Sequence, residues 1–347
     1  MICYEEVTIL KCVVTGSVGF IGSHLVNYLK AKGHWVRGVD IRSKSECYLS
    51  TTEDEFLQLD LRFFKNAVSA VTDIDWVFNL AADMGGIGYI TEYNASIMRN
   101  NSLINLNMLE ASRLADIDRY FFSSSACTYN RDLQMESNSP PLKESDVLPA
   151  HPDSAYGWEK LYAELLCKSY EHDHGLPVRI ARFHNIYGTH CTYTGGQEKF
   201  PAAACRKVAE AHDDGRIVLW GDGKQRRSYL WIDDCCEAFY RLVRSSFSDP
   251  VNIGTDRSIG VDELAYMVMR IAGKKLTIDH DLNKPQGVRG RNADLSLIRE
   301  VLGWEPKIEL EEGMSRLYKW VESQLVRDSL VQAERILERA QQVQSLD

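Results

Sequence analysis

No stretch of this 347-residue chain approaches the roughly 20 consecutive apolar residues of a membrane-spanning helix. The first ten residues, Glu5 and Glu6 among them, lack the basic-then-apolar order of a secretory leader. Nine cysteines are scattered without a Cys-x-x-Cys pair or a Cys/His cluster at zinc spacing, so neither a disulfide framework nor a metal site is expected. Basic excess is missing too. Forty Lys and Arg against 49 Asp and Glu leave a formal net charge of −9, the opposite of a nucleic-acid-binding footprint. Internal repeats and low-complexity linkers are absent. The expectation is a cytoplasmic, soluble enzyme with free thiols and with neither membrane nor nucleic acid as a partner. An acidic chain can still hold a diphosphate where its basic residues are local to a site.

Short apolar runs alternate with helical patterns through the first half. Strands are predicted over 11–15, 35–40, 55–59, 75–80, 119–123 and 178–183, with helices over 23–30, 91–115 and 155–172. That alternation implies an α/β fold built on a Rossmann-type doubly wound parallel sheet. After Tyr187 the texture becomes irregular to about residue 303, as expected of a smaller mixed α/β substrate domain. Residues 310–343 read as helical and end in a polar tail. The organisation expected is a cofactor domain over 1–185, a substrate domain over 186–325 with some chain returning to the core, and a tail over 326–347.

Gly16-Ser17-Val18-Gly19-Phe20-Ile21-Gly22 sits between the first strand and first helix. Glycines there permit a tight turn, close approach of backbone to a diphosphate and close helix–strand packing, while the helix N-terminus offers N–H groups to phosphate. Asp40 ends the second strand about twenty residues after the glycines, where a carboxylate meets the ribose hydroxyls and disfavours a 2′-phosphate. NAD is therefore the expected cofactor, with Arg42 nearby as a reason to consider its phosphorylated form. Asp60 is placed to meet the adenine or, equally, to cap a helix. Leu80 and Ala81, in Asn79-Leu80-Ala81-Ala82, would let backbone pass close beside the cofactor.

Tyr156-Gly157-Trp158-Glu159-Lys160 puts Tyr156 and Lys160 on one helix face. A lysine beside a phenol stabilises phenolate, lowering a pKa that starts near about 10 toward that of a usable base. Ser123-Ser124-Ser125 follows the fifth strand, and Ser125 can offer a hydroxyl to the same substrate oxygen. The set looks like the Ser-Tyr-Lys of short-chain dehydrogenases. Cys127 lies just beyond, where a thiol can exchange protons near neutrality; a buried small hydrophobe is the plain alternative. Lys199 reads by spacing alone as a solvated surface lysine.

Several strings then narrow the reading. Phe78-Asn79-Leu80-Ala81-Ala82-Asp83-Met84-Gly85-Gly86, Ser124-Ser125-Ala126-Cys127 and Arg182-Phe183-His184-Asn185-Ile186-Tyr187-Gly188 are three of them. Gly195-Gly196-Gln197-Glu198-Lys199 and Gly287-Val288-Arg289-Gly290-Arg291-Asn292 complete the set. Over about residues 11–320 the chain resembles the GDP-mannose 3,5-epimerases, extended short-chain dehydrogenase/reductases. The resemblance implies that Tyr156 and NAD oxidise carbon 4 of GDP-mannose. Residues placed like Cys127 and Lys199 then exchange protons at carbons 5 and 3, and reduction gives GDP-L-galactose and GDP-L-gulose. It also implies that Gly85, Gly86, Ser125 and Asn185 line the sugar pocket, and that Arg227, Arg289 and Arg291 meet the diphosphate, where an Arg fork suits phosphate. Each arginine alone could equally be a surface ion pair.

Trp158, Tyr162, the segment 189–194 and the tail depart from the family pattern; the two aromatics are expected to affect packing. A 4,6-dehydratase would place a carboxylic acid after the serine run, where Ala126 and Cys127 stand; a 4-epimerase would leave Cys127 and Lys199 idle. A non-catalytic NAD-binding module would show decay of Tyr156 or Lys160, and both are present. Helices over 91–115 and 155–172 are where relatives of this fold pair, so a homodimer is expected; Leu103, Leu106 and Leu109 at helical spacing fit it, although internal core packing explains them equally well.

Overall fold

The computed structural model describes residues 9–344, with the backbone alone from 337 onward. The leader reading of the first residues therefore lies outside the described residues, as do the last three positions of the tail. Six strands and five helices alternate first: β1 (Lys11–Thr15), α1 (Phe20–Ala31), β2 (Trp35–Asp40), β3 (Glu55–Gln58), α2 (Phe64–Val71) and β4 (Trp76–Asn79). They continue as α3 (Ile87–Glu92), α4 (Asn94–Leu114), β5 (Arg119–Ser125), α5 (Ala155–His174) and β6 (Val178–Phe183). Then come β7 (Ile186–Tyr187), α6 (Phe200–Glu210), β8 (Arg216–Trp220), β9 (Arg226–Ser228), β10 (Leu230–Trp231), α7 (Ile232–Arg244) and β11 (Val251–Ile253). The chain finishes with β12 (Ser258–Gly260), α8 (Val261–Ala272), β13 (Thr277–Asp281), β14 (Gly290–Arg291), α9 (Ser296–Leu302) and α10 (Leu310–Gln344).

The main sheet is seven-stranded, ordered β11-β6-β5-β4-β1-β2-β3, with every pairing parallel. Its strands are apolar on both faces because helices cover both. Cys12 and Val14 of β1 point into one core and Val13 into the other, as Phe121 of β5 does against Tyr120 and Phe122. Strand order reverses between β1 and β4, so a crevice opens at their carboxyl ends, where open α/β sheets bind ligands. Three short sheets, β10-β7, β12-β9-β14 and β13-β8, belong to the later half of the chain. β11 returns to pair with β6.

Four local expectations change. Helix α2 carries too short a pattern to stand out in sequence. The helix expected over 91–115 is two helices, α3 and α4, broken at Tyr93 (φ −105°, ψ 44°), whose ring packs 4.9 Å from that of Tyr89. The serine run does not follow β5 but forms its last three residues, hydrogen-bonded in register with β6. Trp158 and Tyr162 take no part in core packing; they are surface residues of α5. Among the described residues no helix is long and apolar enough to cross a membrane, no group of His, Cys, Asp and Glu is arranged to hold a metal, and the eight cysteines are free.

Candidate active site

Gly16 takes the left-handed conformation (φ +69°), and a Cβ there would sit 3.1 Å from the Ala81 backbone. A Cβ on Gly22 would lie 2.1 Å from the Gly16 carbonyl oxygen, so α1 can start against the loop only with glycine there. Gly19 precedes the first turn of α1, which has no side-chain cap; its N–H groups face the crevice mouth with Phe20 and Ile21 in the opening turn. Asp40 Oδ2 accepts from Val18 N–H (2.9 Å) and Oδ1 from Arg42 N–H (2.9 Å). The carboxylate braces the loop and keeps lone pairs for hydroxyl donors. Thr15 Oγ1 accepts from Leu80 N–H and Ala81 N–H, both 3.0 Å, fixing the backbone at the β4 end. An uncapped helix start behind a loop that admits no side chain, with an acid at the β2 end, fits NAD. Asp60 is not a helix cap: its carboxylate is clasped by Arg62 (2.7 Å), which also holds its pKa below the ordinary carboxylate value.

The β5 end and the start of α5 bring the proton-transfer groups together. Ser154 caps α5, accepting from Gly157 N–H (3.2 Å). A Cβ on Gly157 would lie 2.2 Å from the Cys127 carbonyl oxygen, so the glycine inside the Tyr-Lys string lets α5 press onto the Cys127 turn. Ser125 Oγ accepts from Cys127 N–H (3.1 Å). Lys160 Nζ donates to the Ser123 carbonyl (2.9 Å) and lies 5.7 Å from the centre of the Tyr156 ring. The expected lowering of the Tyr156 pKa is not seen in the protein alone. Burial raises it, aided by Cys127 and Glu159, and the Ser125 hydrogen bond only partly opposes this. Burial likewise lowers that of Lys160, against the pull of Glu159.

Cys127 and Lys199, which nothing in spacing connects, approach the same place. Lys199 stands just before α6. Burial lowers its pKa, with Cys127 the largest opposing influence; its ammonium has no hydrogen-bond partner among the described residues. It is held by the loop before it: Gly86 N–H donates to the Gln197 carbonyl (3.1 Å), and a Cβ on Gly86 would lie 2.7 Å from the Glu198 carbonyl oxygen. Gly85 has the same tightness against the Tyr89 side chain, whose Cβ would lie 2.8 Å away.

The arginines divide rather than form one fork. Arg289 makes a bidentate pair with Asp222 (2.8 and 3.0 Å). Arg291, buried, donates to Cys127 Sγ (3.2 Å), Asp153 Oδ2 (2.9 Å) and the Gln134 side chain. Burial works against its charge, yet Cys127 and Asp153 hold its pKa above the ordinary value. Arg227 donates to the carbonyls of Val288 (2.7 Å) and Arg226 (2.8 Å). Burial and the neighbouring Arg291 bring its pKa down to about 10. Asn185 is left-handed (φ +47°) and donates to the Ser228 carbonyl (3.0 Å). Gln134 and Asp153, which brace Arg291, gave no sequence signal. Glu159, inside the Tyr-Lys string, was visible but unread.

A parallel sheet with a glycine-lined strand–helix turn, and Ser, Tyr and Lys gathered at the β5 end, define a nicotinamide-dependent enzyme of the short-chain dehydrogenase kind. The chain belongs to the NAD dependent epimerase/dehydratase family, which residues 12–254 match. It is 47% identical to the GDP-mannose 3,5-epimerase of Arabidopsis thaliana over 319 residues, covering 92% of this chain and 84% of that protein. It is 44% identical to GDP-mannose 3,5-epimerase 1 of Oryza sativa subsp. indica over 92% of this chain and 83% of the other. Among solved structures, UDP-glucose 4-epimerase of Thermotoga maritima with UDP-glucose superposes with a TM-score of 0.81 at 26% identity, covering 91% of this chain and 100% of that one.

Proposed function

We propose that this protein is a GDP-mannose 3,5-epimerase, an NAD-dependent isomerase that converts GDP-D-mannose to GDP-L-galactose and GDP-L-gulose. The observation that carries this is Cys127, pressed by its own carbonyl against Gly157 of the Tyr156 helix and near enough to Lys199 for its charge to act on the buried ammonium. A 4-epimerase needs no such pair, and a dehydratase needs an acid where Ala126 and Cys127 stand.

Gly16, Gly19, Gly22, Asp40, Leu80 and Ala81 would hold NAD, which would supply the hydride acceptor and a positive charge to the site. Tyr156 takes the proton of the 4-hydroxyl, with Ser125 donating to the same oxygen and Lys160 supporting the negative charge. The resulting 4-ketone acidifies the C–H bonds on both neighbouring carbons, which is why a position that is not inverted is oxidised. Cys127 and Lys199 remove and return protons at carbons 5 and 3, and inversion requires them on opposite ring faces. Arg227, whose guanidinium meets only backbone carbonyls, draws the diphosphate, with Arg289 and Arg291 adding positive charge from their own pairings with Asp222 and with Asp153 and Cys127. Incubated with GDP-mannose in heavy water, the protein should yield hexose carrying one and then two deuterons, with L-gulose and L-galactose signals by NMR. Loss of water to a 4-keto-6-deoxy sugar would instead mark a dehydratase, and an unchanged hexose would leave only a binder.

The exposed stripe on α5 supports a homodimer. Trp158, Tyr162 and Leu165 are 44%, 46% and 63% exposed and lie on one helix face, and α4, which packs along α5, also exposes Met98 and Leu106. Leu109, by contrast, is core. A second copy pairing its α4 and α5 with these would bury the stripe. Light scattering should give twice the chain mass, and Trp158→Glu with Leu165→Glu should give the monomer; a monomeric unaltered protein would rule the pairing out.

A further inference from the structure

Glu159 is buried beside Lys160 but serves none of the steps above. Its carboxylate accepts from Asn101 Nδ2 (3.2 Å) and Asn105 Nδ2 (2.7 Å), both buried on α4. The two contacts end two separate chains of hydrogen bonds whose polarity the backbone dictates. In the first, Asn101 Oδ1 accepts from Asp83 N–H (2.6 Å) while its amide donates to the Asp83 carbonyl (3.2 Å). Its orientation is thus fixed, and its remaining proton goes to Glu159. Asp83 opens the segment that carries Gly85 and Gly86, and its side chain is held by Tyr89 (2.6 Å) and Asn100 (2.8 Å).

The second chain starts from the cofactor side. Thr15 Oγ1 already accepts two backbone N–H groups, from Leu80 and Ala81, so its hydroxyl donates to Asn79 Oδ1 (2.9 Å). Asn79 Nδ2 must then donate to Asn105 Oδ1 (3.0 Å). The Asn105 amide in turn donates to Glu159. Both chains arrive at Glu159 as donors, so the residue there must accept on both oxygens. A carboxylate does so; an amide of the same shape cannot.

We propose that Glu159 is a positioning residue: the double acceptor that ties the sugar-side segment 83–86 and the cofactor-side backbone 80–81 to the helix carrying Tyr156 and Lys160. This setting of sugar and cofactor against one helix rests on the epimerase reading, because it is carbon 4 that must sit between Tyr156 and the hydride acceptor. A misplacement of an ångström there is expensive in rate.

The test is a pair of variants of the NAD-loaded protein. Glu159→Gln puts an amide donor against one asparagine donor. It should lower kcat on GDP-mannose about tenfold or more, with bound NAD unchanged, and drop the thermal midpoint by about 4 °C. Adding Asn105→Asp restores every donor–acceptor match: the amide introduced by Glu159→Gln would donate to the new carboxylate, which still accepts from Asn79. That double variant should recover most of the midpoint and of kcat. A single variant within about twofold of the unaltered kcat, or a double variant no better than the single one, would overturn the proposal. If the unaltered protein does not turn over GDP-mannose, the epimerase reading fails instead, and recovery of the midpoint alone decides the role of Glu159.

Discussion

Replacing Tyr156 with Phe is expected to lower turnover of GDP-mannose by about 10²–10⁴-fold, the usual contribution of a positioned acid–base group, without weakening NAD binding or the fold. Every later step depends on the 4-ketone, so this variant should lose deuterium incorporation at both carbons together. It should also lose the near-ultraviolet absorbance of reduced nicotinamide when substrate is added. The structure gives a reason to expect a large effect. The phenol is buried, and burial raises its pKa despite the hydrogen bond from Ser125. Lys160 does not neutralise that penalty alone, since its ammonium is turned to the Ser123 carbonyl at 2.9 Å. Bound NAD would add positive charge to the site and so would draw the phenol's pKa back down. In the protein carrying reduced cofactor the phenol should titrate higher than in the protein carrying the oxidised form. Exchange in Tyr156→Phe within about tenfold of the unaltered rate would show that another group takes the 4-hydroxyl proton.

What was readable in the sequence is what local spacing encodes. The glycine loop, Asp40 and the Tyr156–Lys160 pair each sit within one strand–turn–helix unit. There, a fixed separation along the chain is a fixed separation in space. The alternation of apolar strands and helices likewise reports burial on both sheet faces, as Val13 and Val14 of β1 show. Cys127 and Lys199 were connected only through resemblance, because the contact of residue 86 with residues 197–198 that carries Lys199 to the site has no local pattern. Arg291 shows the same limit more sharply. Its charge and its Gly-rich setting pointed to phosphate, but its hydrogen bonds run to Cys127, Asp153 and Gln134, three residues from different turns of chain. Glu159 gave no sign of its role for another reason. A charged residue on a helix reads as solvated, and only the two asparagines of α4 reveal it as buried.

Cys127→Ala and Lys199→Ala should both abolish inversion, lowering L-galactose formation by about 10²-fold or more, yet they should differ in exchange. Inversion needs a base on one ring face and an acid on the other. With the acid missing, the base can still remove a proton and return one from solvent to the same face. With the base missing, nothing leaves. Arg291 Nη1 donates to Cys127 Sγ at 3.2 Å, so the sulfur is already the acceptor in its own contact, as a base must be. Lys199 carries no hydrogen bond among the described residues, and burial lowers its pKa, which makes its ammonium a stronger proton donor. Lys199→Ala in heavy water should therefore return GDP-mannose labelled with deuterium but not inverted. Cys127→Ala should return it unlabelled, although both still reduce the nicotinamide. Label retained in Cys127→Ala and lost in Lys199→Ala would reverse the two roles, and inversion surviving in either would remove that residue from the proton-transfer pair.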